Sequence, residues 1–434
     1  MLVTPPEPAL LRFHVAPMQC YTNRHLRDLL GRLSPDAVLW TEMEKATDLL
    51  AGEDARRRRL RHEQSSRPVV LQLGGSDPTQ LAEVARLARP FGYSELNLNC
   101  GCPSIEAGGA DFGAALMRRP DETRVLLERL ADAAGGTPVS VKCRVGTHER
   151  AAADGSVPAA SYEPLAEFVH EVTRTGAVEH VAVHARAAIL AGLSPTANRR
   201  VPPLRPELVH RLAADFPSLR ITVNGGIDGM HGLRTAATAA GAAGLDGLMC
   251  GRWVLRRPLD LWAVQSEPWV HRSGGAAREA GGAATRADAV RGYARQAAAE
   301  VARSEAAVPE ALAPLVLVAE QLHDEWRAAE EDEDEDEDEE EDEDEEGGGD
   351  GDGRGDGLAR LDEDELHELV HAVCDGAAAI ADRGRGGVEL SARAGGGGGG
   401  DAPPFRALDK LFKQRLGTKV RNKLVRNRAE ALAT

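Results

Sequence analysis

Two cysteines stand two residues apart in the stretch Leu96-Asn-Leu-Asn-Cys-Gly-Cys-Pro103. On a straight strand Cys100 and Cys102 would share a face, because side chains alternate along a strand. Gly101 and Pro103 predict a turn instead, which leaves Cys102 on a loop. A thiol of ordinary pKa, about 8.5, is mostly protonated at neutral pH and can act as a general acid. Cys20, Cys143, Cys250 and Cys374 read as small buried hydrophobes. The six cysteines form no zinc-type spacing and no disulfide framework, so a reducing compartment is expected and a metal is not.

Lys142 lies inside the apolar run Val139–Val145, where burial lowers its pKa or demands an anionic partner. The N1/O2 edge of a reduced flavin is such a partner. Gln72 can both donate to and accept from a flavin's pyrimidine edge, although taken alone it reads as a hydrogen-bonded core amide. Asn224-Gly225-Gly226 and Gly251-Arg252 suit the close approach of backbone N–H groups to a phosphate, with Arg252 adding charge. That phosphate could belong to FMN or to a sugar-phosphate substrate.

Eight apolar runs must position these residues: Phe13–Pro17, Ala37–Thr41, Val69–Leu73, Glu95–Leu98, Val139–Arg144, His180–His184, Arg220–Val223 and Asp246–Cys250. Near-continuous apolar runs suit parallel strands buried on both faces. Helix signals separate them, such as Asp77-Pro78, a cap residue followed by proline at the first helical position. Eight such units predict a (β/α)8 TIM barrel, with a doubly wound open sheet as the alternative. The polar and glycine residues fall at the C-terminal ends of the runs, where barrels of this kind carry their sites.

Beyond Pro268 the strand pattern stops. Helices are expected at 287–304, 309–328, 358–382 and 405–430, forming an all-helical domain over 271–434 after a barrel over 1–270. Two low-complexity inserts, about 329–357 and 384–402, are expected to be disordered. The first contains Glu330–Glu346, 17 consecutive acidic residues. Without it the chain holds 52 acidic and 52 basic residues, so the net charge of −17 belongs to this run alone. It reads as a solvated insert open to contact with basic partners. Residues 403–434 carry nine Lys or Arg against Asp409 and Glu430, a footprint for nucleic acid or a solubilising surface helix. No apolar run is long enough to span a membrane and the N-terminus shows no signal peptide. A cytoplasmic monomer is expected, or a plastid or mitochondrial protein if a leader is missing.

APM at 16–18, TEM at 41–43, LQLGGSDP at 71–78, LNLNCGCPS at 96–104, FGAALM at 112–117, HAR at 184–186, GLSP at 192–195, NR at 198–199, VNGG at 223–226 and GR at 251–252 together resemble the tRNA-dihydrouridine synthases. GLSP, NR and PPL resemble the A subfamily, which acts at positions 20 and 20a of the D-loop. The resemblance implies an FMN-bound barrel and a helical tRNA-binding domain. It implies that NADPH reduces the flavin, that hydride passes from flavin N5 to uracil C6, and that Cys102 protonates C5. By the same resemblance Pro17, Met18, Gln19, Gln72, Lys142, His184, Asn224, Gly225, Gly226, Gly251 and Arg252 contact FMN. Asn99 and Arg186 hold the target uridine and its tRNA. Arg199 and Lys419 contact tRNA, with Arg421 and Lys423 flanking a position where the family pattern has arginine. The sequence departs from that pattern at Ala187 and Thr196, where lysines are expected, and at Cys100, where an aliphatic residue is. Two other functions remain open: an FMN barrel that reduces a small pyrimidine-like molecule, and a flavin-containing RNA-binding protein without turnover.

Overall fold

A computed structural model describes residues 10–62, 68–103, 112–152, 156–194, 197–272, 283–339 and 363–383. Eight parallel strands close into a barrel: β1 (Arg12–Val15), β2 (Val38–Lys45), β3 (Val69–Gly74), β4 (Glu95–Cys100), β5 (Val139–Arg144), β7 (His180–His184), β9 (Arg220–Asn224) and β10 (Gly247–Cys250). Their order around the barrel is β1-β10-β9-β7-β5-β4-β3-β2, and β1 closes it by pairing Val15 with Cys250. The open-sheet alternative therefore falls.

The strands run where the apolar runs predict, with shifted ends. β1 stops at Val15, before Pro17, which has no N–H for the ladder. β2 runs on to Lys45, because an irregularity between Trp40 and Met43 lets it regain register with Gln72 and Gly74 of β3. Asp77 caps the helix Pro78–Ala88, its Oδ1 accepting from Thr79 N at 2.7 Å and Gln80 N at 3.0 Å. A second, two-stranded parallel sheet was not expected. It joins β6 (Thr147–Arg150) to β8 (Ala188–Ala191) beyond the ends of β5 and β7.

The apolar core has two parts. Ala16, Val38, Trp40, Val70, Ala182 and Met249 form a small cluster of their own. The larger core contains outward strand residues such as Leu71, Leu98 and Val181 together with the surrounding helices. It continues into the C-terminal helices Arg286–Ala302, Val308–Glu339 and Glu363–Arg383 through Tyr293, Leu315 and Val373.

Polar links fasten these helices to the barrel. Arg24 pairs with Glu300, Arg61 with Glu305 at 2.8 Å and Arg257 with Glu325 at 2.8 Å. Gln321 accepts from Leu259 N at 2.9 Å and donates to Asp260 at 3.0 Å.

The second C-terminal helix extends to Glu339, well into the acidic run expected to be disordered. Glutamate is a good helix former, and adding a residue to an existing helix costs less than starting one. The rest of that run, the glycine-rich insert and the expected helix at 405–430 lie outside the described residues, as do Lys419, Arg421 and Lys423. Among the described residues no helix is long and apolar enough to cross a membrane.

Candidate active site

The C-terminal ends of β3, β4, β5, β7 and β9 bring Gln72, Asn99, Lys142, His184 and Asn224 to one mouth. Inward-facing positions recur every second residue, so Asn97 and Asn99 on β4 share the barrel interior. Asn99 is 8% exposed and Gln72 1%. Asn99 Nδ2 donates to Gln72 Oε1 at 2.8 Å, and Gln72 Nε2 donates to Asn97 Oδ1 at 2.9 Å. Asn97 was not predicted as a site residue, although the alternation in Leu96-Asn-Leu-Asn signals it.

β4 ends at Cys100, and the chain turns at Gly101. Cys100 is buried beside Cys143, and burial pushes its thiol well above the ordinary range. Cys102 leaves the strand and is half-buried. Its backbone is held from both sides. Asn99 Oδ1 accepts from Gly101 N at 3.1 Å and Cys102 N at 2.9 Å, while Cys102 O accepts from Ala114 N at 2.8 Å. A side chain on Gly113, whose φ is +69°, would sit 2.5 Å from Cys102 O, so glycine permits this approach.

Cations crowd the mouth. Lys142 donates to Asn224 Oδ1 at 3.1 Å, and burial, then Arg144, lowers its pKa to about 8. His184 is driven well below its ordinary value by burial and by Arg144, Lys142, Arg186 and Arg252, so its imidazole is neutral. Burial first, then Arg252, lowers both Arg186 and Arg199. Among the described residues, the main electrostatic influences on Lys142, Arg144, His184 and Arg186 are one another, Arg199, Arg252, Cys102 and Cys143.

Gly225 and Gly226 follow β9 with φ of +115° and +82°. A Cβ on Gly225 would meet His184 at 3.0 Å, and one on Gly226 would meet Leu204 at 2.5 Å, so both positions require glycine. Met18 lies across from Gly251, its sulfur 3.2 Å from where a Cβ would stand. Pro17 and Met18 are half-buried, while Gln19 and Arg252 are exposed. Arg186 donates to the backbone of Pro202 and of Arg200, the latter at 3.4 Å.

Arg144 does a job that its place on β5 did not disclose. Its guanidinium donates to Gly101 O at 3.0 Å, Ala187 O at 3.3 Å and Asn198 O at 3.0 Å. It thus ties the loop of Cys102 to the segments that carry Arg186 and Arg199. Asn198 in turn bonds both Ile189 N at 2.7 Å and Ile189 O at 2.9 Å, fixing that segment to β8.

The family model described as Dihydrouridine synthase (Dus) matches residues 14–339. The chain is 42% identical over 264 residues to a tRNA-dihydrouridine(20/20a) synthase of Pseudomonas putida, covering 61% of this chain and 73% of that one. It is 40% identical over 264 residues to the protein of the same name from Yersinia pestis, covering 61% and 71%. The corresponding Synechocystis sp. protein is 45% identical over 213 residues, covering 49% and 60%.

Proposed function

Because the chain belongs to the dihydrouridine synthase family and is an oxidoreductase, we propose that it reduces uridine to 5,6-dihydrouridine in the tRNA D-loop, at positions 20 and 20a. FMN is its cofactor and NADPH its reductant. The observation that carries this reading is the gathering of Lys142, Arg144, His184, Arg186 and Arg252 around the glycine cradle of Gly225 and Gly226: like charges brought together out of water suit an anionic ligand.

The residues fit FMN. Gly225 and Gly226 leave a cradle that any Cβ would fill. Arg252, His184, Asn224 and Gly251 surround it for a phosphate, with Pro17, Met18 and Gln19 alongside. Lys142 stands for the N1/O2 edge of the flavin and Gln72 for its pyrimidine edge. When bound, FMN supplies the electron pair that reduces the 5,6 double bond of uracil, and NADPH replaces that pair.

Asn99 holds the uracil, and its Oδ1, already committed to Gly101 and Cys102, also holds the loop that carries the acid. Cys102 gives its proton to C5 while C6 receives the hydrogen that comes with the electron pair, and solvent restores the thiol. Arg186 and Arg199 position the tRNA. Lys419, Arg421 and Lys423 add phosphate contacts from a tRNA-binding domain over 271–434, beside a catalytic domain over 1–270.

The test is incubation of flavin-loaded protein with NADPH and unmodified tRNA, followed by mass spectrometry of the nucleosides. Dihydrouridine is expected. A loaded protein that yields none, yet reduces a free pyrimidine, overturns the proposal in favour of a small-molecule reductase.

A further inference from the structure

The floor of the barrel holds a buried polar network that the proposed reaction does not use. His180 Nδ1 lies 2.9 Å and 3.1 Å from the two oxygens of Glu95, and Arg220 donates to Glu95 Oε2 at 3.3 Å. Ser140 is also hydrogen-bonded to Glu95. His180 Nε2 meets Thr222 Oγ1 at 3.0 Å, and Thr222 meets His14 Nε2 at 3.5 Å, the loosest link. Trp40 Nε1 donates to His14 Nδ1 at 3.2 Å.

His14, His180 and Asp246 bring their ligating atoms within 4.8 Å of one another, which invites a metal reading. The tautomer argues against it. His14 is held neutral by burial and accepts at Nδ1 from an indole that can only donate, so its one proton is on Nε2. That nitrogen has no lone pair for a metal.

An indole N–H cannot be reversed, so His14 donates to Thr222, and a carboxylate can only accept, so His180 donates to Glu95. Backbone N–H groups cannot be reversed either. Gly101 and Cys102 donate to Asn99 Oδ1, so Asn99 must donate to Gln72, and Gln72 to Asn97. Asn97 Nδ2 then donates to Ser140 Oγ at 2.7 Å, and the Ser140 hydroxyl donates to Glu95. Arg220, which can only donate, is the third arm. Three one-way donor arms meet at a group that must accept from all of them, and a carboxylate is the side chain that does so.

We propose that Glu95 is a positioning residue for the active site: as the common acceptor at the floor, it anchors the lower end of the chain whose upper end the Gly101 and Cys102 N–H groups orient, and so holds Gln72 and Asn99 in place at the mouth. The inference rests on the reading that those two amides face flavin and uracil. Asn99 Oδ1 is filled by two backbone N–H groups, so Asn99 has only its second N–H to offer. It therefore recognises a carbonyl oxygen of the pyrimidine and not an exocyclic amino group. A glutamine at position 95 would bring one acceptor and two donors to three donor arms. The Arg220 arm is charged and outcompetes a hydroxyl, so the arm that lets go is the one that climbs through Ser140 to the mouth.

Three variants of the full-length protein separate this role from mere packing. Ser140→Ala cuts the arm to the mouth, Thr222→Val cuts the arm to His14, and Glu95→Gln disturbs both. In Ser140→Ala the FMN Kd should rise and kcat for tRNA should fall, each by about tenfold, the equivalent of one ordinary hydrogen bond. The visible band of its bound flavin should shift, while KM for tRNA stays within about twofold, because the phosphate contacts that dominate tRNA affinity are unchanged. Thr222→Val should lower Tm and leave FMN affinity, flavin spectrum and kcat at wild-type values. If Glu95→Gln does not fold, the other two still decide. Flavin-loaded wild type with Ser140→Ala behaving like Thr222→Val overturns the inference alone. Wild type that binds no FMN overturns the site reading and the inference with it.

Discussion

The mouth and the floor of this barrel are both polar and built on the same strands, yet their charges are treated in opposite ways. At the floor Glu95 is surrounded by His180, Ser140 and Arg220, and these partners overcome its burial and hold its pKa down to about 2. At the mouth burial first, and then neighbouring cations, lower Lys142, Arg144, His184 and Arg186, and Lys142 falls to about 8. A network with every donor matched is finished structure. Like charges gathered at one mouth suit anionic ligands, and a phosphate and a flavin edge are of the right sign.

The largest difference is expected between the two cysteines of the same turn. Cys102→Ala should leave NADPH-driven flavin reduction intact and slow tRNA reduction by roughly a hundred- to ten-thousand-fold, the usual cost of a lost general acid. Cys100→Ala, a buried thiol with its proton firmly held, should cost some stability and little activity. Single-turnover kinetics of both variants check this, and a dead Cys100→Ala with an active Cys102→Ala would reverse the assignment.

Arg252→Ala should weaken FMN binding roughly ten- to a hundredfold, the worth of one charge-assisted contact. Unchanged flavin occupancy under titration would remove Arg252 from the phosphate site.

The smallest effects are slopes of stability with pH. The folded pKa of Glu95 lies below its ordinary 4.5, so its contribution is complete above pH 4.5 and lost as pH falls toward 2. The folded pKa of Lys142 lies below 10.5, so the folded apo protein carries a penalty below pH 8 that is relieved as pH rises from 8 to 10.5. Denaturant titrations of apo protein should therefore show stability rising with pH in both windows, and Lys142→Met should abolish the upper rise. Saturating FMN should also flatten the upper rise, because an anion beside Lys142 restores its charge. A slope that ignores FMN would mean that Lys142 does not face the cofactor.

The barrel was legible because each of its strands is a short apolar run ended by glycine or a polar residue, and strand-wise burial needs little else. Asp77-Pro78 announced its helix for the same local reason. The β6–β8 pair was not legible: Thr147–Arg150 is polar, and it is a strand only because Ala188–Ala191 lies beside it. Lys142 and Gln72 declared themselves through a polar side chain in an apolar run. Arg144 stood in the same run, but its partners are backbone carbonyls far along the chain, which no local pattern encodes. Glu95 opens its run and His180 opens another, so both looked like strand boundaries. Only closure of the barrel makes them neighbours. The acidic run misled in part, because composition speaks of solvation but not of how far an existing helix can carry into it.

The Arg144 clamp has a consequence for inheritance. It grips the backbone oxygens of Gly101, Ala187 and Asn198, atoms that every amino acid possesses. An inherited substitution at 187 can therefore change the side chain without loosening the frame around Cys102, since the part that varies and the part that holds are different atoms of the same residue.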